Sequence, residues 1–204
     1  MKTLFIDTKV KIKVDKSKIE EISKKLPKNI AITYSIQYKD IAYKIKDILS
    51  RGHKIKKFSQ ILGCTIPKFS RDTRAILLIT DGRFHGISLA YETKLPIYIL
   101  EDNKLERVLS KEIEILKKRQ KASYIKFLNA EKIGIIISTK QGQENIKKAL
   151  DFKKKLKDKE SYLFISNNID TREFENFQID SWVNTACPRL DMNSSMINLN
   201  KLKL

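Results

Sequence analysis

Four short stretches hold the residues whose types could do chemistry. Residues 81–86, DGRFHG, combine an acid, a glycine, an arginine and a histidine directly after an apolar run. Asp81, Gly82, Arg83 and His85 could place backbone N–H groups and a guanidinium around a carboxylate. The plain alternative is a capping Asp81 with Arg83 and His85 in surface contacts. Residues 138–143, STKQGQ, set Ser138, Thr139, Lys140 and Gly142 where a strand should turn into a helix. That composition suits an anion, although it is not a Walker sequence. Cys64 follows Gly63 in ILGC, and Cys187 precedes Pro188 in ACPRL. Cysteines on glycine- or proline-marked turns are better ligand candidates than cysteines inside helices. Neither belongs to a CxxC pair, so spacing by itself implies no metal, and taken alone each is more often a small buried apolar residue than a ligand. His53 follows Gly52 in a basic loop and reads as a plain surface residue.

The elements that must position these residues follow from hydrophobic periodicity. TKVKIKV, residues 8–14, alternates polar and apolar as a half-buried strand does. NIAITY, residues 29–34, and residues 54–58 are further short strands. Ile41, Ile45, Ile48 and Leu49 fall on one face of a helix over 40–49. AILLI, residues 75–79, and residues 96–100 are continuous apolar runs, the pattern of strands buried on both faces of a parallel sheet. A helix is expected around Ile87, Leu89 and Ala90, and a long charged one over 104–129, with Leu105, Val108, Leu109, Ile113 and Leu116 inward. The pattern then restarts. Strands are expected over 133–137, 162–165 and 181–185, with a helix over 143–157 that turns Ile146, Leu150 and Leu156 inward and an irregular segment at 174–177.

Strands alternating with helices predict an α/β fold: two small domains, 1–115 and 116–204, each with a mainly parallel sheet flanked by helices. In such sheets function gathers at loops after the carboxyl ends of strands. DGRFH, STKQGQ and ACPRL all sit there, whereas the helix faces carry ordinary Lys and Glu.

Charge is the strongest compositional signal. The chain of 204 residues has 42 Lys and Arg against 24 Asp and Glu, a formal net charge of +18. Such an excess can meet a polyanion. Here, however, it is mostly lysine spread along solvated faces, with little arginine and no aromatic signature of RNA-binding domains. Nucleic acid is therefore not the partner that the sequence favours. No apolar run reaches transmembrane length, and the charged N-terminus is not a secretory signal, so a soluble cytoplasmic protein is expected and no membrane partner. In that compartment a disulfide between the two cysteines is disfavoured.

In order, ILGCT, TDGRFH, ISTKQGQ and WVNTACPRLD resemble the archaeal diphthamide synthase family, whose members show Val-Leu-Gly-Cys, Gly-Asp-Gly-Arg-Phe-His, Ser-Thr-Lys-x-Gly-Gln and Ala-Cys-Pro-Arg segments. SIQY, residues 35–38, is similar to the family's Thr-Thr-x-Gln-His segment and adds Gln37 as a candidate. Thr80 stands for a family glycine and Tyr38 for a family histidine.

The resemblance implies three similar α/β domains, each giving one cysteine to a single 4Fe–4S cluster that leaves one iron open for S-adenosylmethionine. Reductive cleavage there gives a 3-amino-3-carboxypropyl radical, which is added to an imidazole carbon of a histidine in elongation factor 2. It implies that Cys64 is the second-domain metal ligand and Cys187 the third-domain ligand. Gln37, Asp81, Gly82, Arg83, His85, Ser138, Thr139, Lys140 and Gly142 would line the S-adenosylmethionine pocket. No side-chain acid or base is assigned beyond the cluster.

The resemblance covers the second and third domains and leaves the first, with its cysteine, unmatched. The expected function is thus the C-terminal part of a split transferase, with a separate first-domain polypeptide supplying the third cysteine. A higher oligomer and elongation factor 2 complete the expected partners. A non-catalytic accessory subunit and a basic RNA-binding α/β protein are the alternatives.

Overall fold

The computed structural model describes residues 8–62, 66–192 and 196–202. The chain divides into two compact units, Met1–Ile113 and Glu114–Leu204.

The first unit is built on a sheet in the order β2-β1-β3-β4-β5: β1 (Asn29–Tyr34), β2 (Lys54–Gln60), β3 (Ala75–Ile79), β4 (Ile97–Glu101) and β5 (Lys104–Arg107). The first four strands run parallel and β5 is an antiparallel edge. Helices α1 (Lys16–Ser23) and α2 (Lys39–Leu49) cover one face, packing Ile19, Ile22, Ile41 and Ile45 on Ile30, Ile32, Leu77 and Ile79. Helix α3 (Phe84–Thr93) covers the other with Leu89 and Ala90 against Ala31, Ile76 and Leu78. All five residues of β3 are buried because both faces are covered, as its unbroken apolar run requires. Gly86 lets α3 approach closely: a Cβ there would stand 2.6 Å from Ile99 Cδ1.

The second unit repeats the arrangement in the order β7-β6-β8-β9, all parallel: β6 (Lys132–Ser138), β7 (Glu160–Ser166), β8 (Ser181–Asn184) and β9 (Ile197–Asn198). Helix α4 (Ser110–Asn129) runs across the division between the units, and α5 (Ile146–Lys155) follows β6. Phe127, Ala149 and Phe152 pack on Ile133, Ile135, Ile137 and Val183. On the opposite face Trp182, Ile136 and Met196 meet Phe164, Ile169 and Phe174, the last from a 3-10 turn over Thr171–Asn176. The α/β class with two helix-flanked, mainly parallel sheets is as expected. Among the described residues no helix is long and apolar enough to cross a membrane.

Several expectations are corrected. Residues 8–14 join no sheet. Val10, Ile12 and Val14 do turn onto the core, but Val10 N–H donates to Gln37 C=O and Lys13 C=O accepts from Asn103 Nδ2, so the alternation is satisfied outside a ladder. Helix α1, capped by Asp15 through the amides of Ser17 and Lys18, was not anticipated; only Ile19 and Ile22 mark its inner face.

The long helix begins at Ser110, not 104. Asp102 and Asn103 both have positive φ, 45° and 57°, and make the two-residue turn that pairs β5 back onto β4. Leu109 is accordingly exposed, while Glu112 accepts its amide and caps α4. Helix α5 is shorter than 143–157, because Gly142, at φ +80°, keeps the preceding turn open. Its buried stripe is Ala149 and Phe152, continued by Leu156, with Ile146 and Leu150 exposed on its shoulders.

Candidate functional site

In both units the order of strands reverses beside the first one, between β1 and β3 and between β6 and β8. Open parallel sheets bind ligands in the crevice outside the carboxyl ends at that place, because neighbouring loops diverge to opposite faces there.

In the first unit those loops carry Gln37 and the 81–85 segment. Gln37 is half-buried in the turn Ile36–Tyr38, and its carbonyl accepts from Val10. Thr80, buried at the end of β3, donates to Ser35 Oγ at 3.2 Å and so ties the two strand ends together. Asp81 and Gly82 are exposed, and Gly82 takes φ +72° to start the turn. Tyr38 is buried, and burial with the nearby charges of Asp81, Glu101 and Asp102 pushes its phenol up, keeping it protonated.

Arg83 makes its ion pairs within its own unit. Its Nε and Nη2 each lie 2.7 Å from a carboxylate oxygen of Glu112, and its Nη1 pairs with Glu106. It thereby anchors the loop to α4 and β5 as a surface-contact residue. His85 is half-buried with its ring edge-on to Phe84. His53 is not a plain surface residue: Nδ1 lies 2.9 Å from Pro27 C=O and Nε2 2.7 Å from Ser23 Oγ. If Nδ1 donates, Nε2 accepts the hydroxyl, and the ring ties the end of α1 to the start of β2.

The second unit holds the most complete arrangement. A cavity of about 660 Å³ opens at the carboxyl ends of β6, β7 and β8, with Ser138, Lys140, Gln143, Asp170, Cys187 and Arg189 in its wall. Ser138 is buried, and its hydroxyl accepts the Lys140 amide at 3.1 Å. Thr139 N–H donates to Ser166 C=O, and Gly142 turns the loop back toward α5; neither lines the cavity. Asp170 is held down to about 2, first by the Arg172 guanidinium hydrogen-bonded to it and then by the Arg172 amide. It is an anion already matched by a cation. Lys140 and Arg189 put two cationic side chains in the same wall as the Cys187 thiol.

Cys187 is half-buried, and Pro188 after it lacks an amide hydrogen. The turn is held by the Leu190 amide, which donates to Cys187 C=O at 3.1 Å, and by side chains. Asn184 Nδ2 donates to Cys187 C=O at 2.8 Å, Asn198 Nδ2 to Pro188 C=O at 3.0 Å, and Asn145 Nδ2 to Thr185 C=O at 2.9 Å.

The structure therefore brings Ser138, Lys140 and Cys187 into one cavity. Gln37, Asp81, Gly82, Arg83 and His85 lie on adjacent strand ends of the other unit. Cys64 lies outside the described residues. Sequence reasoning missed Gln143, Asp170 and Arg189 as wall residues; Gln143, inside STKQGQ, and Arg189, inside ACPRL, carried a signal, and Asp170 carried none. A thiol at the mouth of a cavity this size suits an iron–sulfur cluster as one donor of several. Among the described residues no group of three or more His, Cys, Asp or Glu could complete a metal site.

Two α/β units of one topology, with the DGRFH loop at the switch point of the first and the STKQGQ and Cys187 turns at that of the second, define the class. Residues 1–196 match the family model of putative diphthamide synthesis proteins, and the chain belongs to that family. It is similar to 2-(3-amino-3-carboxypropyl)histidine synthase of Pyrococcus horikoshii, 27% identical over 93% of this chain and 59% of that one. The synthase of Methanocaldococcus jannaschii is 29% identical over 93% and 56%, and subunit 1 of the Yarrowia lipolytica synthase 29% over 93% and 46%. The crystal structure of Dph2 from Pyrococcus horikoshii with a 4Fe–4S cluster superposes with a TM-score of 0.76 at 27% identity, covering 90% of this chain and 58% of the other. The chain thus spans about half to three fifths of the length of these relatives.

Proposed function

We propose that this chain corresponds to the second and third domains of a 2-(3-amino-3-carboxypropyl)histidine synthase. It works in the cytoplasm together with a first domain that supplies a third cysteine. The substrate is a histidine of elongation factor 2, and the group transferred comes from S-adenosylmethionine. A 4Fe–4S cluster, when bound, supplies the electron that cleaves S-adenosylmethionine.

The observation that carries the reading is the cavity whose wall holds Cys187, Lys140 and Arg189 together. A thiolate is the ligand that iron–sulfur chemistry needs. The cationic side chains match the carboxylate of the methionine moiety. The family match over residues 1–196 supports assigning Cys64 the same ligand role. Ser138 shapes the turn that presents Lys140, and Arg83 braces the DGRFH loop by its pair with Glu112. Two cysteines leave a cluster that takes thiolates on three or four irons at least one ligand short, and the first-domain cysteine would supply it.

The test is anaerobic iron–sulfur reconstitution of the chain, alone and with the candidate first-domain polypeptide, read by electron paramagnetic resonance. A reduced 4Fe–4S signal that needs the partner and shifts on adding S-adenosylmethionine is expected. No cluster under either condition would replace this reading with a non-catalytic accessory subunit. Binding to RNA that falls steeply with salt, together with no iron, would favour the nucleic-acid alternative.

A further inference from the structure

The turn that carries Cys187 is fixed by three asparagines, of which only Asn184 lies inside one of the motifs, WVNTACPRLD. Asn184 ends β8, Asn198 ends β9 directly opposite it, and Asn145 stands just before α5. Asn184 and Asn198 are only 2% and 4% exposed. Beyond its bond to Cys187 C=O, Asn184 Nδ2 donates to Asn198 Oδ1 at 2.6 Å, and Asn184 Oδ1 accepts the Ala186 amide at 2.9 Å. Asn198 passes the chain on to Pro188 C=O, and Asn145 joins Thr185 C=O to Gln143 C=O, at 3.3 Å. The network admits one orientation of each inner amide. Turning Asn198 over would set two N–H2 groups face to face and leave Pro188 C=O without a donor.

We infer that Asn145, Asn184 and Asn198 are positioning residues that clamp the backbone of residues 185–188 and thereby aim the Cys187 thiol into the cavity. The inference rests on the proposed reading of Cys187 as a cluster ligand and adds residues to it.

The physical case is one of alternatives. A buried amide is costly unless all its hydrogen-bonding groups are used, and a leucine at 184 or 198 would carry no such cost. Here the amide groups converge on a single turn, and they reach the carbonyls of Thr185, Cys187 and Pro188. The backbone gives this turn one bond of its own, Leu190 N–H to Cys187 C=O at 3.1 Å, while Pro188 contributes no amide hydrogen and the asparagines reach the carbonyls on either side. Metal ligands are commonly held in direction by such outer partners, because a thiolate must meet its metal along a narrow range of angles. Asn145 adds a second effect: it links the STKQGQ loop to the cysteine turn, so Lys140 and Cys187 are set relative to each other.

The test uses the metal-free chain with Cys64→Ser, which leaves Cys187 as the sole thiol. Alkylation by N-ethylmaleimide and hydrogen exchange over 185–189 are compared in the parent, Asn198→Leu and Asn145→Ala. Folding is checked by circular dichroism. The inference predicts that folded variants react at least about fivefold faster, the scale of one net hydrogen bond, and exchange faster over 185–189. Because Asn198→Leu fills the same space, a merely space-filling role would leave both rates unchanged, and that result would overturn the clamp. Should Asn198→Leu fail to fold, Asn145→Ala, outside the sheet, decides by the same readouts. These rates need no cluster, so a failure of reconstitution in the parent counts against the proposed function and not against the clamp.

Discussion

Arg83 and Glu112 form a two-point ion pair, guanidinium Nε and Nη2 each 2.7 Å from one carboxylate oxygen, and the same Glu112 accepts the Leu109 amide at 2.8 Å. One carboxylate thereby caps α4 and holds the DGRFH loop. The Arg83 hydrogen bonds, ahead of the Leu109 amide, keep Glu112 below the usual carboxylate range.

Removing that carboxylate should loosen the first unit. Glu112→Gln is expected to cost about 1 kcal/mol at pH 7, a modest figure because Arg83 is partly exposed and water screens the pair. The folded value of Glu112 is depressed, so its stabilisation is fully present above the unfolded value of about 4.5 and is lost as pH falls through the folded one. Urea unfolding of the parent and the variant at pH 7 and pH 3 checks this: the difference should shrink at pH 3.

Gly134 and Trp182 make a second prediction. They are paired in register across β6 and β8, and the indole lies over the glycine. A Cβ at 134 would stand 3.0 Å from Trp182 Cδ2 and closer still to Cε3 and Cζ3. Trp182 also stacks on Phe174, 4.2 Å between ring centroids, and cannot simply swing away. Gly134→Ala should destabilise the second unit by about 1–3 kcal/mol. A thermal melt followed by tryptophan fluorescence, which reports the chain's single Trp, measures it.

Loss of either cysteine should separate folding from cluster retention. Cys187→Ala removes a half-buried thiol at a cavity mouth, so the melt should move by less than about 1 kcal/mol. Iron content after anaerobic reconstitution with the partner chain should fall to background for Cys187→Ala and Cys64→Ala alike. Full iron in either variant would remove that residue from the ligand set.

Lys140 should act on binding and not on folding. It is exposed at the cavity wall, and Lys140→Met keeps the stem while removing the charge. In the assembled enzyme the affinity for S-adenosylmethionine should drop about tenfold, as expected for one charge-assisted contact. Titration calorimetry is the measurement, and an unchanged affinity would place the carboxylate elsewhere.

The sequence by itself determined the α/β class, the buried strands AILLI and IGIII, and the positions of the DGRFH, STKQGQ and ACPRL turns. Hydrophobic periods and strand-end glycines are local, and local pattern is enough for them. What only the tertiary structure decided depends on pairing across the chain. Whether the alternating 8–14 segment enters a sheet is a matter of which backbone lies beside it, and Gln37 and Asn103 answer that. Arg83 reads the same on paper as a ligand-binding arginine or as a brace, until Glu112, 29 residues on, is seen to hold it. Asn198 carries no motif, and only the register that sets it opposite Asn184 on neighbouring parallel strands gives the Cys187 turn its donor.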